Sequence, residues 1–115
     1  MPVPRELDVA LIRDTVADLC GQADLLLPAD VRRALERGIA AEESPVGREV
    51  LARLIENADI ARDEAMPMCQ DCGLAVIFLD IGQDVHLVGG DLIAAVNQGV
   101  REGYERHYLR KSVCH

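Results

Sequence analysis

The octapeptide "MPMCQDCG", Met66 to Gly73, sets two thiols three positions apart with an amide and a carboxylate between them. That spacing serves several chemistries. A closed zinc site takes four Cys or His ligands, usually as two close pairs. Cys69 and Cys72 supply one pair. Cys114 and His115, with His107 nearby, supply only a loose second one, because adjacent Cys-His chelates a single tetrahedral ion poorly. A thioredoxin-like redox pair opens a helix that follows a strand, where the helix lowers the thiol pKa. Here the order reads reversed, with a helix before the thiols and a strand after them. A third chemistry uses the residues in between. Cys69 offers a soft thiolate for iron, Gln70 an amide that both donates and accepts, and Asp71 a carboxylate for proton or hydroxyl contact. A structural loop with incidental cysteines fits the spacing equally.

Composition narrows the field. A chain of 115 residues fits one small domain, and half of its residues are apolar, enough for a core. With 20 acidic against 12 basic residues the formal net charge is −8, which repels phosphate backbones and disfavours nucleic acid as a partner. Phe78, Tyr104 and Tyr108 are the aromatic residues, too few for a base-stacking platform. No apolar run approaches the ~20 residues of a membrane span. The leading segment "MPVPRELDVALIRD" carries acids early and lacks an apolar signal core, so the expected compartment is cytoplasmic. There cysteines more often bind metal or react than pair. Cys20, one residue before Gly21 in a helical pattern, is expected to be a small buried hydrophobe.

The elements that must position the thiols read as helices over the first two thirds. Leu7, Leu11, Ile12, Val16 and Leu19 recur at helical spacing, with Gly21 as a stop. A second helix starts near Pro28–Asp30, where Asp30 complements the dipole, and Gly38 weakens or ends it. Ser44 is the expected N-cap of a third, with Pro45 at its first helical position. Its apolar stripe is Val50, Leu51, Leu54, Ile55, Ala58 and Ala61, and the charges opposite form a solvated face. From Pro67 the character changes. "GLAVIFLDIG", Gly73 to Gly82, reads as a buried strand, and "DVHLV", Asp84 to Val88, as a short second one. Gly89-Gly90 forms a turn without any dinucleotide fingerprint. Asp91 then caps a helix whose apolar face is Ile93, Val96, Val100, Tyr104 and His107 or Tyr108. His86 is expected to be a hydrogen-bonded structural residue and His107 a packed one. The class is α+β: about three N-terminal helices, a buried strand, a short second strand and a C-terminal helix. The expected division is 1–65 helical and 66–115 the Cys-Gln-Asp loop, strands and helix. "YLRKSVCH" reads as an interruption, with charged and reactive residues still arriving.

The stretch "PMCQDCGLAVIFLDIGQDVHLVGGDLIAAVNQGVREGYERHYLRKS" resembles the N-terminal region of the α subunit, or α domain, of class I iron–sulfur fumarases. That family carries Pro-x-Cys-Gln-Asp-Thr-Gly, an Ile-Phe strand, a Gly-Gly turn and a helix ending in Leu-Arg. "ESPVGREVL" before "NADIAR" is similar as well, so the resemblance covers nearly the whole chain. It implies a fragment of a larger α/β-type subunit that reversibly hydrates fumarate to malate. It also implies a [4Fe-4S] cluster held by three cysteines, with one open iron as Lewis acid. Tartrate dehydratase α subunits share the signature.

Residue by residue, the resemblance makes Cys69 the first cluster cysteine and Gln70 and Asp71 the adjacent substrate-contacting pair, with Asp71 in a catalytic role. Arg110 becomes a clamp on a substrate carboxylate, a task its planar fork suits. Without the resemblance Arg110 reads as a solvated cation near a helix C-terminus. Position 72 holds Cys where the family usually has Thr, so Cys72 is expected beside the cluster without ligating it. Cys114 and His115 depart from the expected continuation. The implied partners are the rest of the α subunit, a β subunit or domain, and a small dicarboxylate. The chain alone is expected to lack the other cluster ligands, to be inactive and to self-associate through exposed apolar surface. The competing reading is a zinc-binding or assembly module built on Cys69, Cys72, Cys114 and His115.

Overall fold

A computed structural model describes residues 3–113. The elements run β1 (Arg5–Asp8), α1 (Val9–Leu25), α2 (Ala29–Ala41), α3 (Pro45–Glu64), β2 (Val85–Val88) and α4 (Leu92–Arg106). The class is α+β. The expectations for Cys114 and His115 lie outside the described residues.

The two strands pair in parallel, Arg5 opposite Val85 through Asp8 opposite Val88. Each runs into a helix through an aspartate cap. Asp8 Oδ1 accepts from the Ala10 amide at 2.8 Å, and Asp91 Oδ2 from the Ala94 amide at 2.8 Å. These side chains satisfy amides that a first helical turn leaves without partners. Gly89 must be glycine twice over: its φ is +85°, and a Cβ there would stand 2.7 Å from Asp8 Oδ1. The turn expected at Gly89-Gly90 therefore closes onto the cap of α1.

Helices α1 and α4 lie side by side in close contact. A Cβ on Gly103 would sit 2.7 Å from the Ala17 carbonyl oxygen and 2.9 Å from Cys20 Cβ, and one on Gly99 2.9 Å from Val16 Cβ. Around this crossing Ile12, Val16, Cys20, Cys72, Tyr104 and Leu109 form the buried cluster. Cys20 is buried, as expected. α2 and α3 form a separate hairpin. Arg32 grips Asp59 through both arms, 2.6 and 3.2 Å, and Gly38 lies against Leu51. α2 buries no residue. The Cα radius of gyration is 18.6 Å, against about 13 Å for a compact domain of this length.

Ser44 caps α3 as expected, accepting from the Gly47 amide at 3.3 Å. Elsewhere the structure corrects the sequence reading. Gly21 and Gly38 do not stop their helices; both lie inside them because each gives room to a neighbour, Gly21 to the His107 ring and Gly38 to Leu51. Leu7 belongs to β1, a four-residue strand too short and too charged to announce itself. On α3 Ala58 and Ala61 are buried while Val50 and Leu54 are exposed. On α4 the buried face is Ala95, Gly99, Gly103 and Tyr104, whereas Ile93 is exposed and Tyr108 stands outside the helix at φ +56°. His86 lies on β2 opposite Glu6 but is exposed, with no side-chain hydrogen bond among the described residues.

The largest correction concerns Gly73–Gly82. This run forms no strand and is not buried. Phe78 is 91% exposed, and Leu74 and Val76 are each 69% exposed. A buried strand needs ladder partners at its edges and apolar layers on its faces. Among the described residues nothing supplies them.

Two substitutions test this packing with opposite signs. Gly103→Ala drives a methyl into the Ala17 backbone and is expected to cost about 1–3 kcal/mol. Ala65, which ends α3 at φ +52°, is expected to gain about 0.5–1 kcal/mol as glycine. Urea unfolding of the purified chain measures both.

Candidate functional site

Residues 69–73 form a loop pinned from both sides. Before it, the Met68 amide donates to the Asp24 carbonyl at 3.0 Å, and Asn57 Nδ2 to the Met68 carbonyl at 2.7 Å. After it, the Tyr104 hydroxyl donates to the Cys72 carbonyl at 3.1 Å, buried against the α1–α4 crossing. The segment after α4 folds back over the same loop. There the Arg110 amide donates to Cys72 Sγ at 3.2 Å, and the Cys72 amide donates to Ser112 Oγ at 3.3 Å.

The two thiols point to different worlds. Cys69 is exposed, and its Sγ donates to Gln70 Oε1 at 3.2 Å. Cys72 is 8% exposed and belongs to the apolar cluster. Among the described residues no group of three His, Cys, Asp or Glu side chains is arranged for a metal.

Asp71 is held on the open side. Ser112 Oγ donates to its Oδ1 at 2.6 Å and the Gly73 amide at 2.9 Å. The Ser112 hydroxyl above all, then the Gly73 amide, holds this carboxyl below its ordinary value against a small desolvation, and the charge of Arg110 adds to the effect. Asp71 is thus a ready anion. The structure therefore brings Cys69, Gln70 and Asp71 together on one loop, with Arg110 beside it on a segment about forty residues later. Sequence reasoning missed Ser112, which locks the two segments together. Its partners lie 40 and 41 positions upstream, so no local pattern marks it. Tyr104 was expected only as an apolar residue, yet its hydroxyl fixes the loop.

A cleft of about 740 Å³ lies between α1 and Leu74–Phe78. Its walls are mostly apolar, and Cys69, Gln70, Asp71 and Arg110 do not line it. It does not suit a charged dicarboxylate.

The sequence profile of the fumarate hydratase (Fumerase) family matches residues 13–115. The chain belongs to this family. Over 105 residues it is 35% identical to a Methanocaldococcus jannaschii protein assigned by name to the L(+)-tartrate dehydratase α subunits, covering 90% of this chain and 37% of that one. Over 88 residues it is 35% identical to the aerobic class I fumarate hydratase of Escherichia coli K12, covering 76% of this chain and 16% of the relative. The L(+)-tartrate dehydratase subunit alpha of the same strain is 28% identical over 99 residues, 86% of this chain and 32% of the relative. The chain thus spans well under half the length of these relatives. A hydratase and a dehydratase run one kind of reaction in opposite directions, so the relatives' names share the hydro-lyase class. Among the described residues no helix is long and apolar enough to cross a membrane.

The pH behaviour of Asp71 follows from its contacts. A carboxyl with a lowered folded-state pKa contributes stability above its ordinary value, near about 3.9, and that contribution fades as the pH falls through the folded-state value. Ser112→Ala is expected to move the Asp71 titration upward, toward the ordinary range, while Ser112→Thr keeps it low. Carboxyl ¹³C NMR of the two variants reads this directly, and an unmoved titration in Ser112→Ala would remove Ser112 from the account.

Proposed function

We propose that residues 1–115 form one domain, the N-terminal part of an iron–sulfur hydro-lyase α subunit that reversibly hydrates fumarate to malate. The helices of 1–65 support the site segments of 66–115. One observation carries the reading: an exposed thiol, an amide and an ionised carboxylate share the Cys69–Asp71 loop, with Arg110 anchored beside it through its backbone amide and its charge felt at Asp71. L(+)-tartrate is the alternative substrate, favoured by the names of two of the relatives.

The donor set fits one corner of a [4Fe-4S] cluster and no more. Cys69 is the one exposed cysteine among the described residues, so the remaining ligands come from elsewhere. When bound, such a cluster supplies an iron with an open position, a Lewis acid toward the substrate's hydroxyl and carboxylate. The chain's own residues do the rest. Gln70 donates to and accepts from the substrate. Asp71, kept anionic by Ser112 and Gly73, takes the proton or hydroxyl contact at its free oxygen. Arg110 engages a carboxylate with its planar fork. The reducing cytoplasm keeps the Cys69 thiol available.

The partners in this reading are the rest of the α subunit and a β subunit or domain. The exposed run Leu74–Ile81 is the surface that meets them, and in their absence it drives self-association of the chain. The extended shape supports the same view.

Anaerobic reconstitution with iron and sulfide tests the proposal, using the chain alone and then with the missing α segment and a β subunit. Cluster absorbance and fumarate hydration are expected in the completed mixture only, and neither in Cys69→Ala. Arg110→Lys is expected to raise the KM about tenfold or more, since hydrogen bonds to charged groups are worth about 1.5–3 kcal/mol. Tight zinc on the chain alone, lost equally in Cys69→Ala and Cys72→Ala, would overturn the reading.

A further inference from the structure

Cys72 does more than fill the core beside Cys69. Its Sγ lies 3.9 Å from the Cys69 carbonyl oxygen, so the inner sulfur already rests on the backbone of the outer residue. The outer thiol is exposed, with Gln70 Oε1 its one hydrogen-bond partner among the described residues. The loop between them is neither helix nor strand, so a turn of the Cys69 side chain toward Cys72 breaks no regular structure. An accessible thiol that meets an oxidant, backed by a sheltered one, is the arrangement in which the second thiol captures the first oxidation product.

We propose that Cys69 and Cys72 form an intramolecular disulfide site whose oxidant is a hydroperoxide. In the first step Cys69 sulfur attacks the outer peroxide oxygen. The O–O bond breaks, sulfur gives up two electrons, and Cys69 sulfenic acid and an alcohol (water, from hydrogen peroxide) are formed. In the second step Cys72 sulfur attacks Cys69 sulfur. The S–S bond forms, the S–OH bond breaks, and the hydroxyl leaves as water with the Cys72 proton. The net change is a two-electron oxidation of the dithiol, reversed by a thiol reductant. The sulfenic acid is thereby diverted from the irreversible sulfinic and sulfonic acids. Cys20 differs from Cys72 in position: it is fixed on α1 and not on the loop that carries Cys69, and burial pushes its thiol up. The consequence for iron rests on the function proposed above. A disulfide at Cys69 withholds the thiolate that would hold a cluster, in a form that reduction restores.

The metal-free chain, treated with hydrogen peroxide, then unfolded in guanidinium chloride, alkylated there with N-ethylmaleimide and digested with trypsin, tests the site. One peptide, 63–101, carries both cysteines. It is expected to lose two hydrogens and both maleimide adducts, while Cys20 and Cys114 stay alkylated, and dithiothreitol should restore both adducts. In Cys72→Thr the same treatment is expected to carry Cys69 on to sulfinic and sulfonic acids, and Cys20→Ala should leave the disulfide intact. Wild-type Cys69 found as sulfinic acid beside an alkylated Cys72 would overturn the proposal. So would Cys69 joined to Cys20, to Cys114 or to a second copy. The readout uses no iron, so a failed cluster reconstitution would count against the proposed function and leave the disulfide result standing.

Discussion

The close approach of α1 and α4 is the constraint on which the rest of the structure hangs. Gly99 and Gly103 add no side chain of their own to the crossing, so the α4 backbone lies on Val16, Ala17 and Cys20 of α1. That proximity fixes where Tyr104 emerges. Its ring joins the buried cluster while its hydroxyl reaches the Cys72 carbonyl. It also fixes where the chain goes after α4, because the Leu109 amide returns to the Tyr104 carbonyl at 2.9 Å and Leu109 is buried beside Cys72. From there Arg110 and Ser112 have only a short way to reach the loop.

The site is thus a joint between two segments far apart in sequence, closed by groups of modest individual strength. A hydrogen bond of this kind contributes about 0.5–1.5 kcal/mol net, more when one partner is charged. Several converge here on five residues. Asp71 receives two donors, Cys72 exchanges bonds through its amide, carbonyl and sulfur, and Ser112 touches both. Their common effect is to separate the roles of neighbouring residues. Cys72 is buried as part of the core; Cys69, Gln70 and Asp71 are open to solvent. The alternation follows from anchoring the loop at Cys72.

The molecule carries a second tension. Leu74 to Ile81 is rich in branched and aromatic side chains that gain most by leaving water, yet they remain exposed. The elongated form and the unburied α2 point the same way. A sequence written for burial that finds no cover among the described residues fits the interface proposed above, and the relatives are each more than twice as long as the matched stretch.

Helix-by-helix, much was legible because the signals are local. Ser44 and Asp91 mark their caps and Cys20 its burial; the order of the four helices follows from periodicity. What escaped depended on neighbours. Gly21 and Gly38 look like stops until His107 and Leu51 are seen to need their space. β1 is too short to carry a pattern, and Gly73–Gly82 has the composition of a buried strand without the layers that make one. By itself the sequence determined the helices, the α+β class, the family resemblance and the donor set of the Cys-Gln-Asp loop, since adjacent residues carry their own polar groups. Tertiary structure alone decided that Cys72 is buried while Cys69 stays exposed, and that Ser112 completes the loop. Burial and long-range hydrogen bonds depend on which segments meet, and spacing along the chain does not encode that.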